Sequence, residues 1–199
     1  MTGMIRLATS EDAAEILAIY APFCAESPVS FEIIPPSIGE IVHRISATTA
    51  HYPWLVFVED DAIRGYVYAS QHRDRAAYRW SVDVTAYIHA DSRGQGLGKA
   101  LYTSLFILLR AQGFYQAIAG ITLPNPASVA LHIATGFSMI GVYHNIGYKA
   151  GSWRDVSWWE KSLQPTSTSP METRSILELL NTCSWDEAIT AGMDLLQRT

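Results

Sequence analysis

Residues 87–101 read Tyr-Ile-His-Ala-Asp-Ser-Arg-Gly-Gln-Gly-Leu-Gly-Lys-Ala-Leu, a β-rich run that ends in a glycine turn and passes straight into an apolar helix. The first turn of a helix has backbone N–H groups with no intrahelical partner, and its dipole favours negative charge there. Gly94, Gly96 and Gly98 let those amides approach an oxyanion with no Cβ in the way, while Arg93 and Lys99 add positive charge. Such a turn can hold a pyrophosphate. It makes a poor nucleoside-triphosphate loop, because Gly98-Lys99 is followed by Ala100 and no glycine stands at the required earlier position. It also makes a poor dinucleotide fingerprint, since the spacing is Gly-x-Gly-x-Gly and several β-rich runs precede it. The plain alternative is an ordinary glycine-rich connection.

A second set of residues lies just upstream. Asp83 sits inside an otherwise apolar run, where an acid is costly unless it has a partner or a task. It can accept a proton, or it can satisfy nearby backbone or pair with an arginine. Arg73, Arg75 and Arg79 crowd the stretch before it, and a guanidinium grips a carboxylate through two parallel hydrogen bonds. A solvated charge run beside Asp74 is the bland reading of the same arginines. His132 can exchange a proton near neutrality, although a lone helical histidine is more often packed or at the surface.

The elements that must position these residues alternate. Residues 5–8 read as a short strand, and Thr9 with Asp12 supplies an N-cap and first-turn acid for a helix turning Ile16, Leu17 and Tyr20 inward. Residues 28–37 are too proline-rich for a regular element, and 38–47 read as a second helix. Runs 54–59 and 63–70 flank Asp60-Asp61, which predicts an antiparallel hairpin. A third run, 78–89, leads into the glycine turn. The helix beyond it carries Leu101, Leu105, Leu108 and Leu109 and stops near Gly113. A strand at 117–123, a short helix at 126–135 and β-rich runs at 139–146 and 155–162 complete an α+β order.

The composition then changes. Residues 165–171 read as a polar linker, which divides the chain into a body, 1–164, and a tail, 172–199. The tail reads as helical over 173–180 and 184–197, the second helix with a capping box of Ser184 and Glu187. Its apolar positions, Ile176, Leu179, Trp185, Ile189 and Met193 among them, predict docking on the body or on a second subunit.

At 199 residues, with 49% hydrophobic and 17% charged, the chain can bury one full core and a small appendage. A net charge of -5 gives no general attraction to nucleic acid or to an anionic membrane. The apolar runs are too short to span a bilayer, and the start lacks the apolar stretch of a secretory signal. Cys24 and Cys183 stand far apart without metal-ligand spacing, so no metal is expected and a reduced, cytoplasmic setting is the simplest reading.

Arg93-Gly94-Gln95-Gly96-Leu97-Gly98 fills the pattern Arg/Gln-x-x-Gly-x-Gly/Ala and resembles the acetyl-coenzyme A turn of the GNAT N-acetyltransferases. Within that superfamily, three stretches resemble the phosphinothricin N-acetyltransferase family. They are Arg75-Ala-Ala-Tyr78-Arg79-Trp-Ser-Val-Asp83-Val-Thr-Ala-Tyr87-Ile-His89, Asn125-Pro-Ala-Ser128-Val-Ala-Leu-His132 and Gly136-Phe137, with Ser30-Phe31-Glu32 near the start. The likeness covers roughly residues 5–163; the tail lies outside it.

The resemblance implies the GNAT acyl-CoA N-acyltransferase fold, a mixed central sheet flanked by helices, here with a C-terminal helical extension. It implies direct transfer of the acetyl group of acetyl-CoA to the amine of a small amino acid or analogue, of the phosphinothricin or methionine sulfoximine/sulfone type. Asp83 stands where the family carries a glutamate, one methylene longer, and is the expected proton acceptor, directly or through one water. His132 is the expected proton donor to the departing thiolate. Tyr87, Ile88, Arg93, Gly94, Gln95, Gly96, Leu97, Gly98, Lys99, Asn125 and Ser128 are the expected coenzyme residues, with strand ends at 87–89 and 120–123 splayed around the pantetheine arm. Phe31, Arg73, Arg75 and Tyr78 are expected to meet the acceptor. Lys149, Trp153 and Asp155 match a Lys-x-Gly-x-Trp-x-Asp stretch and are expected at the site or at a dimer contact, since the resemblance implies a homodimer. Two other readings stay open: a GNAT acting on a peptide or protein amine, and a non-catalytic acyl-CoA sensor whose tail recruits a partner.

Overall fold

The computed structural model describes residues 3–197. Along these the chain runs β1 (Gly3–Leu7), α1 (Ala13–Ala25), α2 (Ile38–Thr49), β2 (Trp54–Glu59), β3 (Ala62–Gln71), β4 (Ser81–Ile88) and α3 (Leu97–Gln112). It continues with β5 (Gln116–Thr122), α4 (Pro126–Ala134), β6 (Ser138–Lys149), β7 (Ser152–Ser162) and α5 (Cys183–Gln197). The strands make one seven-stranded sheet in the order β1-β2-β3-β4-β5-β7-β6, so the expected mixed sheet flanked by helices is what forms.

The hairpin predicted at Asp60-Asp61 joins β2 to β3, with both aspartates at positive φ (50° and 57°), the backbone that suits a tight hairpin turn. β2 is apolar on both faces because both are covered. Trp54 and Val56 pack with Ile16 and Ile19 of α1 and Ile41 and Ile45 of α2, while Leu55 and Phe57 join the leucines of α3 in the larger core. α3 ends as the sequence predicts: Gly113 adopts φ 99°, its N–H donates to Arg110, and the Phe114 N–H donates to Leu109.

One junction decides the rest of the molecule. β4 and β5 are parallel neighbours, yet they pair only from Ser81 with Gln116 to Asp83 with Ile118. Beyond that point β4 follows β3 out to Ile88, and β5 follows β7 out to Thr122. The strand ends part as expected, leaving two backbone edges facing a gap.

Three expectations are corrected by the backbone. The strand expected from residue 78 begins at Ser81, because Ala76–Tyr78 close a 3-10 turn whose end donates from Arg79 N–H to Ala76. Residues 173–180 hold a single 3-10 turn, Ile176–Glu178, instead of a helix. Their backbone is tied to the body, Arg174 N–H donating to Gln112 and Ile176 N–H to His51, and those bonds compete with helix formation. The last helix is capped by Thr182, whose hydroxyl accepts from Trp185 N–H, while the capping box sits at Ser175 and Glu178.

The tail lies against the body. Ile176, Leu179 and Ala188 are part of the same core as α3, and Ser104 on α3 donates to the Ala188 carbonyl at 2.8 Å. α5 approaches so closely at Gly192 that a Cβ there would meet the Ala100 carbonyl and Ile5 Cδ1, each at 2.9 Å.

Candidate active site

The glycine turn and α3 form one wall of the gap. Gly96 is the N-cap of α3 at φ 80°, and no side chain caps the helix, so its first-turn N–H groups are free to face a ligand. The three glycines turn out to have different reasons. Gly94 (φ 75°) and Gly96 need the left-handed backbone, whereas Gly98 is a packing glycine: a Cβ there would meet Leu131 Cδ2 of α4 at 2.9 Å. Gly98 thus has a packing reason of its own beside the anion approach expected of all three. Gln95 Nε2 donates to Asp91 and braces the turn, and the exposed Arg93 guanidinium lies 5.2 Å from the Phe23 ring. Leu97 is buried, so only its backbone is offered. Lys99 is exposed and borders an open cavity of about 480 Å³ beside Arg110 and Lys161.

Asp83 stands at the other end of the gap, in the last residue pair before β4 and β5 separate. Across the sheet it faces Ser70 of β3, and partners in an antiparallel ladder share a face, which here is the one covered by α1 and α2. Its Oδ1 accepts from His72 Nδ1 at 2.8 Å, which fixes the carboxylate and the tautomer of the ring. Burial pushes the Asp83 carboxyl above the ordinary aspartate value, against the His72 hydrogen bond and the charge of Arg73, which both pull it down. A carboxylate with raised proton affinity at a strand mouth suits proton acceptance. His72 is the residue that sequence reasoning missed. The usable signal was the period of two along β3, which puts 70 and 72 on one face, but it becomes legible only once Ser70 is known to pair with Asp83.

The expected acceptor residues surround this carboxylate unevenly. Tyr78 stacks edge-on 5.8 Å from His72, and Arg73 and Arg75 are exposed, with no ion pair among the described residues. Arg79 points elsewhere, pairing with Glu172 of the tail at 2.6 Å. Phe31 lies over Gly147 of β6, where a Cβ would collide with its ring. That loop is held by Lys149, only 8% exposed, whose ammonium donates to the carbonyls of Ser30 (2.6 Å), Glu32 (2.8 Å) and Phe23 (3.3 Å). Asp155 instead shapes the β6–β7 irregularity, accepting from Asn145 N–H and His144 Nδ1, and Trp153 lies exposed beside Tyr148.

On α4, Asn125 is the N-cap, its side chain accepting from Ser128 N–H at 3.1 Å. Tyr87 turns its ring into an aromatic cluster with Tyr20, Phe23 and Tyr66, so at Tyr87 and Ile88 it is the outer backbone edge that faces the gap. His132 is buried. Its Nδ1–H donates to the Ser128 carbonyl at 2.8 Å, and its Nε2 accepts from the Tyr102 hydroxyl at 3.2 Å. Burial lowers its pKa, so the ring is neutral with its one proton already engaged. Among the described residues, no group of three His, Cys, Asp or Glu could hold a metal ion.

A parted pair of strands opposite an uncapped, glycine-led helix is the architecture of the acyl-coenzyme A N-acyltransferases, and residues 5–158 match the family model described as the acetyltransferase (GNAT) domain. The chain belongs to the GNAT acetyltransferase family. It is 36% identical to a phosphinothricin N-acetyltransferase of Streptomyces viridochromogenes, over 80% of this chain and 87% of the relative. It is 31% identical to an L-methionine sulfoximine/L-methionine sulfone acetyltransferase of Pseudomonas aeruginosa, over 85% of this chain and the whole of that one. Among solved structures, a GNAT superfamily phosphinothricin acetyltransferase from Sinorhizobium meliloti in complex with acetyl-CoA superposes with a TM-score of 0.82 at 37% identity, covering 87% of this chain and 96% of that one. The chain is an acetyl-CoA dependent N-acetyltransferase.

Proposed function

We propose that the protein acetylates the α-amino group of small amino acids or their analogues, of the phosphinothricin and methionine sulfoximine type. The observation that carries this reading is the Asp83 carboxylate where the strands part, oriented by His72, with the exposed Arg73 near enough for its charge to act on it. Acetyl-CoA supplies the thioester; the residues supply placement and proton transfer. The first-turn amides of α3 with Arg93 hold its pyrophosphate, the open edges of β4 and β5 hold its amide-bearing arm, and Lys99, Arg110 and Lys161 offer charge to its outlying phosphate.

An aliphatic amine is mostly protonated near neutrality, so it must lose a proton before it can attack. Asp83 accepts that proton directly or through one water, which offsets the methylene it lacks relative to glutamate. The amine nitrogen then forms its bond to the thioester carbonyl carbon, and the thiolate departs as the carbonyl re-forms. His132 acts as a hydrogen-bonding prop for Tyr102 rather than as the proton donor, because its Nδ1–H is committed to Ser128. His132→Ala should therefore cost stability more than turnover per folded molecule. Arg75 and Arg73 pair with the acceptor carboxylate, and Tyr78 and Phe31 wall it in.

We also propose a homodimer in a cytoplasmic setting. Support for the first is the exposed edge strand β6, with Met139, Ile140, Tyr143, Ile146 and Tyr148 all about half exposed or more. Support for the second is a pair of free cysteines, Cys24 and Cys183, with no described helix long and apolar enough to cross a membrane. The activity is tested by following free-thiol release from acetyl-CoA against a panel including phosphinothricin and methionine sulfoximine. Turnover confined to these and related amino acids is expected; no turnover with any of them would overturn the reading.

A further inference from the structure

The face of the sheet that carries Asp83 continues into a cavity of about 450 Å³ beneath α2, within the roughly 300–1,000 Å³ of small-molecule sites. It reaches Ser70, the direct cross-strand partner of Asp83, so an acceptor whose amine lies at Asp83 has this space within reach of its side chain. The walls are aromatic. Trp54 stacks on Tyr68 at 4.4 Å and on Tyr66 at 5.7 Å, and Tyr66 meets Tyr87 at 5.6 Å. Burial raises the pKa of the Tyr66, Tyr68 and Tyr87 phenols, so these walls are uncharged at neutral pH.

Charge at the mouth is already spent. Arg44 donates to Glu32 and to Glu40, each at 2.8 Å, and so has no free charge for an anionic side chain such as a phosphinate. What the lining offers is chiefly aromatic surface from Trp54, Tyr66, Tyr68 and Tyr87, with Trp54 only 3% exposed.

We propose that this cavity is a side-chain pocket of the acceptor site that takes the neutral ring of an aromatic α-amino acid. The proposal rests on the reading of Asp83 as the proton acceptor and extends the acceptors beyond the compact analogues named above. Flat rings stack or meet edge-on with the indole and phenol walls.

The test is calorimetric titration of L-tyrosine into the full chain saturated with coenzyme A, so that no acetyl transfer intervenes. Saturable binding is expected, weakened about tenfold or more in Ala47→Phe, which fills the cavity from an exposed position on α2. Absence of saturable binding, or equal affinity in a folded Ala47→Phe, overturns the pocket. An independent measurement is the Trp54 indole N–H resonance, assigned by its loss in Trp54→Phe. It should shift as L-tyrosine is added, and an unmoved resonance also overturns the pocket. Turnover is scored separately. Failure to acetylate any amino acid sinks the proposed function, while saturable binding sensitive to Ala47→Phe leaves the pocket standing.

Discussion

The two walls of the strand gap are made of different material. On the side proposed for the coenzyme the groups presented are backbone: uncapped N–H groups of α3, left-handed glycines at 94 and 96, and the outer edges of β4 and β5. On the side proposed for the acceptor they are side chains drawn from distant segments: Asp83 and its partner His72, Arg75 and Tyr78, and a loop fastened by Lys149 from β6. Backbone recognition fits a donor that never varies, because any sequence that makes the turn makes the site. Side-chain recognition lets the acceptor change without disturbing the donor.

If that division is right, substitutions on one wall should leave the other untouched. The largest effect is expected for Asp83→Asn, which should lower kcat/KM by about two orders of magnitude or more while calorimetry finds coenzyme A affinity unchanged. A parallel loss of coenzyme affinity would break the division. Next is Lys149→Met, which strips three carbonyls of their buried ammonium; thermal unfolding should report a loss of about 1.5–3 kcal/mol, with the acceptor KM raised and coenzyme affinity intact. Gly96→Ala tests the opposite wall. A left-handed alanine costs roughly 1–2 kcal/mol, so coenzyme affinity should fall about tenfold while kcat at saturation is retained.

The smallest effect is a shift in pH dependence. With Asp83 as the base, activity should fall as pH drops through its pKa, which burial raises above the ordinary aspartate value and the His72 hydrogen bond lowers. Removing that bond in His72→Ala should therefore move the acid limb of kcat/KM to higher pH, with little change near neutrality. A limb that stays put would mean that His72 does not set the base.

This contrast also explains what was legible. The glycine turn is a contiguous stretch whose proposed role follows from turn chemistry, so it could be read from residues 93–99 alone. Even there the reading assigned one reason to three glycines, because only the packing of Leu131 distinguishes Gly98. Asp83 was visible as an acid in an apolar run. His72 was not, since its partner lies 11 residues on and register alone unites them. Lys149 was visible as a motif residue, but the carbonyls it binds lie more than a hundred residues away. In the tail, apolar periodicity suggested a helix at 173–180, yet periodicity is blind to backbone bonds made with another segment, and Arg174 and Ile176 spend theirs on the body.

The short parallel pairing between β4 and β5 has a mechanical consequence. The sheet is two leaves, β1 to β4 and β5 with β7 and β6, joined along residues 81–83 and 116–118 and free beyond them. Were the two leaves to swing apart around a long thioester, displacement would grow with distance from the join and vanish at it. Asp83 occupies the pivot. The carboxylate proposed as the proton acceptor thus sits at the fixed point of any such opening.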